Sequence, residues 1–293
     1  GQLMLHVVWL GRDPRFGNVN NVATTAASVC AYASISAFGI PQLLISAGTA
    51  GGFRAAGAIV GDCYLSSKCV FHARRIPSGD GTGLEEYGFG HFRSPPLGGL
   101  AVRAGLKLGV VSTSDSLDSS VQDLELMRSE GAAVKEMEAA AVAWVCQSLS
   151  VPFVAVKAIT DIVDGEHATR GEFEQNLHMA SAALQEKVGA ALLLLANTKL
   201  TDWAAGRTPA ASIDATVDKS VGDSVESESQ SVVHPTASPV PKAATQIHRG
   251  SSGIVLSHAA VGSLLLGAGL LLGLAGGSLV ALASGRHVVA ARK

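Results

Sequence analysis

PFVAVKAITDIVDG, residues 152–165, is the stretch from which the fold can be read. Residues 152–159 form an apolar run with the length and β-branched richness of a buried strand. Thr160 and Asp161 stand where that strand should end, and Lys157 lies inside it. A lysine and a carboxylate on a strand that reads as core need a reason. A carboxylic acid at a strand end in apolar surroundings has its pKa raised by desolvation. A general acid working near neutral pH needs that shift. Duty as a turn residue or helix cap is the plain alternative for Asp161.

Working outward, residues 1–198 alternate between strand-like and helix-like segments. Strands are predicted at 3–10, 41–48, 59–71, 106–114, 132–138 and 152–160. Helices are predicted at 22–38, 138–150 and 170–197. This alternation predicts an α/β domain around a mainly parallel or mixed sheet. In such sheets ligands bind outside the carboxyl ends of the strands.

The character changes after residue 198. Residues 199–252 mix Ser, Thr, Val, Pro and charges without a period, which predicts a disordered linker. Residues 254–285 contain no Asp, Glu, Lys or Arg. The Leu/Gly/Ala-rich heart, 259–284, would span about 39 Å as a helix at ~1.5 Å per residue. That exceeds the ~30 Å hydrocarbon core, so a transmembrane helix is predicted over 253–285, with a basic tail at 286–293. Gly269, Gly273 and Gly277 have the spacing that lets two such helices approach. A span in this position suits a tail anchor that leaves the preceding domain in the cytosol. The chain opens at Gly1 directly on a strand-like run and reads as a fragment or processed form.

The net charge of -2 on 293 residues argues against a nucleic-acid partner. Cys30, Cys63, Cys69 and Cys146 are scattered, with no CxxC or His/Cys cluster. They read as small buried hydrophobes, and neither a metal nor a cofactor is expected.

Two further segments join the opening one at strand ends. SAGTAGGF (46–53) ends a strand in small residues that let backbone amides approach a ligand. It lacks both the GxGxxG and the GxxxxGK[ST] spacing. VKEMEAAAVAWVC (134–146) enters a helix with Glu136 and Glu138 around Met137. Acidic residues are favourable at a helix amino terminus anyway. Together the segments supply an acid, a second carboxylate and a close-approach loop. That set suits bond cleavage through an oxocarbenium-like transition state.

AGTAGGF (47–53), FHARRIP (71–77), STSDSLDSSVQD (112–123), KEMEAAAVA (135–143) and VKAITDIVDG (156–165) occur in one order. Over residues 3–198 the chain resembles the 5′-methylthioadenosine nucleosidases, above all the plant type, of the nucleoside phosphorylase superfamily. The resemblance implies a three-layer α/β/α sandwich around a mixed sheet, and a homodimer. It implies hydrolysis of the N-glycosidic bond of 5′-methylthioadenosine, with S-adenosylhomocysteine as a further substrate of some members, in methionine salvage. Asp161 resembles the general acid that protonates adenine N7, with Thr160 orienting the base. Glu138 resembles the carboxylate on the ribose hydroxyls, and Met137 packs against the sugar. Lys135 and Glu136 belong to the same substrate-contacting segment. Thr49 and Lys157 match positions near the nucleophilic water. Leu117 lines the purine pocket, and Phe173 faces the 5′-alkylthio group.

The chain departs from the pattern in three places. Ala73 stands where plant-type members usually have Asp, and Ser114 where they have Gly. The family's first strand carries a glutamate that activates water, and this chain opens after the corresponding position, so no general base is assigned. Two other functions fit parts of the sequence. One is a phosphate-dependent nucleoside phosphorylase, for which Arg12 would begin an anion site. The other is a membrane-tethered nucleoside-binding protein without turnover.

Overall fold

The computed structural model describes residues 3–77, 79–165, 169–196, 198–206, 254–256 and 279–285. The chain begins with strand β1 (Leu3–Trp9), a short hairpin of β2 (Arg12–Asp13) and β3 (Val19–Asn20), and helix α1 (Ala23–Phe38). Strands β4 (Leu43–Gly52) and β5 (Cys63–Phe71) follow, then α2 (Leu84–Phe89), β6 (Phe92–Arg93) and α3 (Gly98–Ala104). The second half runs β7 (Lys107–Thr113), α4 (Val121–Ser129), β8 (Ala132–Glu136), α5 (Ala139–Ser148) and β9 (Phe153–Ile162). Helices α6 (Thr169–Ala196) and α7 (Leu200–Ala204) precede two late strands, β10 (Ile254–Leu256) and β11 (Leu279–Gly285).

Nine strands form one sheet in the order β10-β1-β11-β4-β8-β7-β5-β6, and β9 pairs with both β4 and β5. That double pairing closes β4, β8, β7, β5 and β9 into a ring. The pairs β4–β9, β5–β7 and β7–β8 are parallel, while β4–β8 and β5–β9 are antiparallel. The mixed sheet expected from the sequence is therefore present.

Apolar side chains leave the sheet on both faces. Val154, Val156 and Ala158 of β9 join a core with α3, α6 and Trp203 of α7. Phe153, Ala155 and Ile159, on the alternate positions, join a second core with α1 and α5. Lys157 falls on this second face by the same alternation. Cys63, Cys69 and Cys146 are buried and Cys30 is partly so, all as free thiols. Helix α6 is long and apolar enough over Gly171–Ala196 to cross a membrane by composition. Here Ala180, Leu184, Val188, Ala191 and Leu195 form its buried stripe against the sheet.

Two expectations need correction. The transmembrane helix over 253–285 is not what its described ends form. Ile254–Leu256 pairs with β1, and Leu279–Gly285 lies antiparallel between β1 and β4. Without β11, the facing N–H and C=O groups of β1 and β4 would lack ladder partners, and a backbone of any apolar composition can supply them. Residues 257–278 and the basic tail lie outside the described residues. The linker does not start at residue 199 either. Leu200–Ala204 is a helix whose Trp203 is buried, with its Nε1–H donating to Thr198 Oγ1 at 2.6 Å. The rest of the predicted linker, from 207, is outside the described residues.

Candidate active site

The site forms where β4, β8 and β9 end together. Gly51 of β4 is the register partner of Lys135 on one side and of Asp161 on the other. The β4–β9 register shifts between Ala50 and Gly51, so the strands run on past the sequence-predicted ends. A Cβ at Gly51 would sit 2.5 Å from Val163 Cγ2 and 2.9 Å from Asp161 Oδ2. One at Gly52 would sit 2.7 Å from Ala58 Cβ and 2.9 Å from Ile159 Cγ2. Gly51 and Gly52 thus serve close packing against the β9 end and Ala58.

Asp161 is 3% exposed. Its Oδ1 accepts the Thr160 Oγ1–H at 2.7 Å, and its buried Oδ2 has no hydrogen-bond partner among the described residues. Burial drives the carboxyl pKa up; Thr160 opposes this, Glu172 adds to it and Lys135 opposes it, and the net shift is upward. The cap role weighed for Asp161 belongs to Asp164, which accepts the Arg54 N–H at 2.7 Å and the Ala55 N–H at 3.1 Å. Helix α6 holds the β9 end in place. Asn176 Nδ2 donates to the Thr160 carbonyl and Glu172 Oε2 accepts the Ile162 N–H, each at 2.9 Å.

Glu136, 4% exposed, has the opposite environment. It accepts the Glu138 N–H at 2.9 Å and the Ala139 N–H at 2.8 Å, so it caps α5. It also accepts the Thr113 hydroxyl and pairs with Lys157 Nζ at 2.9 Å. Burial works to raise its pKa, but the Lys157 charge and these hydrogen bonds outweigh it and hold the carboxylate low. Burial likewise works to lower Lys157, and the charges of Glu136 and Glu138 reverse this. Lys157 is fully buried and also reaches Ser46 Oγ at 3.4 Å. The charge inside the β9 strand is therefore half of an interior ion pair.

Glu138 stands at the start of α5 and accepts the Ala23 N–H at 2.9 Å. Met137, between the two glutamates, is half-buried, as are Thr49 and Phe173. Lys135 is buried and donates to the carbonyls of Ser116 and Leu117 at 2.8 and 2.6 Å. Burial pulls its pKa down, against Asp161, Asp118, Glu136 and Asp123. Leu117 itself is 52% exposed in the loop after β7. Arg12 lies in the β2–β3 hairpin, its Nε–H on Asn20 Oδ1 and its guanidinium over Trp9.

Sequence reading missed several polar groups here. Thr113 and Asn176 are ordinary polar residues whose partners are distant in sequence, and no local signal marks them. His72 lies in the quoted FHARRIP stretch but was not singled out. It is buried at the end of the β5 region, with Nδ1 2.9 Å from Ser112 Oγ and Nε2 lacking a partner among the described residues. Burial and the Lys135 charge push its pKa down to about 4, which leaves it neutral at pH 7.

The profile of the Phosphorylase superfamily matches residues 6–193, which include every element around this site. The chain belongs to the phosphorylase superfamily. Within it, a 5′-methylthioadenosine/S-adenosylhomocysteine nucleosidase of Arabidopsis thaliana is 42% identical over 205 residues, 70% of this chain and 75% of that protein. A 5′-methylthioadenosine nucleosidase of the same plant is 44% identical over 183 residues, 62% of this chain and 67% of that protein. The solved apo structure of the Arabidopsis thaliana 5′-methylthioadenosine nucleosidase superposes with a TM-score of 0.60 at 41% identity. The match covers 63% of this chain and 74% of that one. The superfamily fold expected from the sequence is thus present.

Proposed function

We propose that this phosphorylase-superfamily chain hydrolyses the N-glycosidic bond of 5′-methylthioadenosine, yielding adenine and 5-methylthioribose. Two relatives more than 40% identical carry nucleosidase names, one of which includes S-adenosylhomocysteine. The observation that carries the mechanism is Asp161: a buried carboxyl with a raised pKa and one unpartnered oxygen, at the common end of β4, β8 and β9.

A protonated Asp161 donates its proton to adenine N7. The C1′–N9 bond then breaks with its electron pair leaving on a neutral base, so no adenine anion forms. Positive charge develops on C1′ and the ring oxygen. The Glu138 carboxylate holds the ribose hydroxyls and so fixes the sugar throughout the reaction. Water adds to C1′ and gives up a proton. No residue among those described is assigned as the base that takes it. Thr160 sets the Asp161 rotamer. Met137 and Thr49 lie against the sugar, Leu117 against the purine, and Phe173 at the 5′-alkylthio group. Glu136 and Lys157 hold the β8–α5 junction.

The test is adenine release from 5′-methylthioadenosine with and without inorganic phosphate. Release independent of phosphate is expected. Release only with phosphate overturns hydrolysis in favour of phosphorolysis.

A homodimer is part of the same reading. Val29, Tyr32 and Trp144 are exposed on α1 and α5, beside a shallow groove lined by Thr25, Ser28, Phe71 and Arg74. Sedimentation at micromolar concentration reads the mass directly. Membrane attachment, with the enzymatic part in the cytosol, rests on the uncharged composition of 254–285 alone. The pairing of Leu279–Gly285 with β1 and β4 opposes it. Flotation of the full chain with liposomes separates the two.

A further inference from the structure

The first turn of α1 is tied to two carboxylates that lie far away in sequence. The Ala23 N–H donates to Glu138 Oε1 at 2.9 Å. The Thr24 N–H donates to Asp115 Oδ1 at 2.8 Å, and Thr24 Oγ1–H to Asp115 Oδ2 at 3.0 Å. Val22, at the N-cap position of α1, makes no side-chain cap bond. Asp115 takes that role from another element, satisfying a donor that the helix cannot.

Ala23 is held at a φ of 74°, the left-handed region that a residue with a Cβ rarely adopts. Such a conformation persists where its surroundings over-determine it. Here it turns the Ala23 N–H toward Glu138, while the next residue is clamped by Asp115. Asp115 also belongs to the loop whose Ser116 and Leu117 carbonyls are gripped by Lys135. It therefore joins that loop, the start of α1 and, through Ala23, the Glu138 carboxylate.

We propose that Asp115 is a positioning residue for the reaction. By clamping Thr24 it holds the Ala23 N–H against Glu138 and so sets the direction in which that carboxylate faces the ribose hydroxyls. The inference rests on the reading of Glu138 given above. It predicts a defect that follows the hydroxyl contact and not only the fold.

The experiment compares the unmodified chain with Asp115→Ala, Asp115→Asn and Thr24→Val. Each is assayed on 5′-methylthioadenosine and on its 2′-deoxy analogue. Asp115→Ala is expected to raise KM for 5′-methylthioadenosine by about tenfold, with kcat changed far less, as loss of substrate positioning predicts. The defect should shrink on the 2′-deoxy analogue. It should also be non-additive with Glu138→Gln, since both changes strike one contact. Asp115→Asn keeps an acceptor for the Thr24 N–H and should restore most of the loss. Thr24→Val removes only the hydroxyl bond and should show the same substrate pattern in milder form, so the test stands if Asp115→Ala does not fold. An unchanged KM, an equal loss on both substrates, or additivity with Glu138→Gln would overturn the proposal while leaving the nucleosidase reading intact. Absence of adenine release by the unmodified chain, with or without phosphate, overturns that reading, and this inference falls with it.

Discussion

Glu136 and Asp161 are both almost wholly buried, 4% and 3% exposed, yet their carboxyl pKa values are shifted in opposite directions. Glu136 has an ammonium, a hydroxyl and two backbone N–H groups around it. Asp161 has one hydroxyl, and its second oxygen is left unmatched among the described residues. Desolvation acts on both in the same direction. Donors decide the direction: Glu136 has enough of them to be held low, and Asp161 is left raised. In the proposed mechanism Glu136 is a fixed charge that holds the frame, and Asp161 is the acid whose proton is transferred.

The largest effect expected from this contrast is on turnover. Asp161→Asn removes the transferable proton and should slow adenine release by about 10²–10⁴-fold, the usual contribution of a general acid. Retained binding of 5′-methylthioadenosine by calorimetry would show that the proton, not the fold, was lost. Full turnover in this variant would break the comparison.

Next comes the fixed pair. Lys157→Met leaves the Glu136 carboxylate buried without its counter-charge, and removing one partner of a buried pair costs about 3–5 kcal/mol. Chemical denaturation should show this. The double change Lys157→Met with Glu136→Gln should recover part of it, because the orphan charge is gone. No recovery would mean that the ion pair is not what Lys157 contributes.

A smaller effect is expected at the glycine between the two regions. Gly51→Ala places a methyl against Val163 and Asp161. Overpacking of this kind costs about 1–3 kcal/mol. Because one of the crowded atoms is Asp161 Oδ2, adenine release should fall further than the stability loss explains.

The pH dependences should run in opposite senses. The folded-state pKa of Asp161 is above its ordinary value, so its acid form is lost, and adenine release falls, as pH rises through that pKa. The same shift costs stability. The cost is absent below the ordinary value of 3.8 and develops as pH rises from there through the folded pKa. Asp161→Asn should therefore give a modest rise in Tm at neutral pH relative to the unmodified chain, measured by calorimetry. Glu136 is depressed, so its contribution is present above 4.5 and is lost as pH falls through its folded pKa.

The elements around the site were legible because their patterns are local. The strand at Phe153–Ile162 and the helices at Ala23–Phe38 and Ala139–Ser148 lie within a residue or two of the segments read from the sequence. The late strands were not legible. A stretch such as Leu279–Gly285 has the composition of a membrane span, and only the facing edges of β1 and β4 make it a strand. Trp203 shows the same limit. Its burial under α3 could not be read from the polar, aperiodic sequence around it.

By itself, the sequence determined the α/β alternation, the family and the placing of Asp161 at a strand end and of Glu138 at a strand–helix junction. Side-chain period and residue order encode these directly. The tertiary structure decided which carboxyl group is shifted down and which up. It also decided that Lys157 pairs with Glu136, and that the start of α1 bonds both Asp115 and Glu138. Those outcomes depend on burial and on partners that include groups tens to more than a hundred residues away, such as Thr113 and Lys157 for Glu136 and Ala23 for Glu138, because a pKa is set by everything that surrounds a group in space.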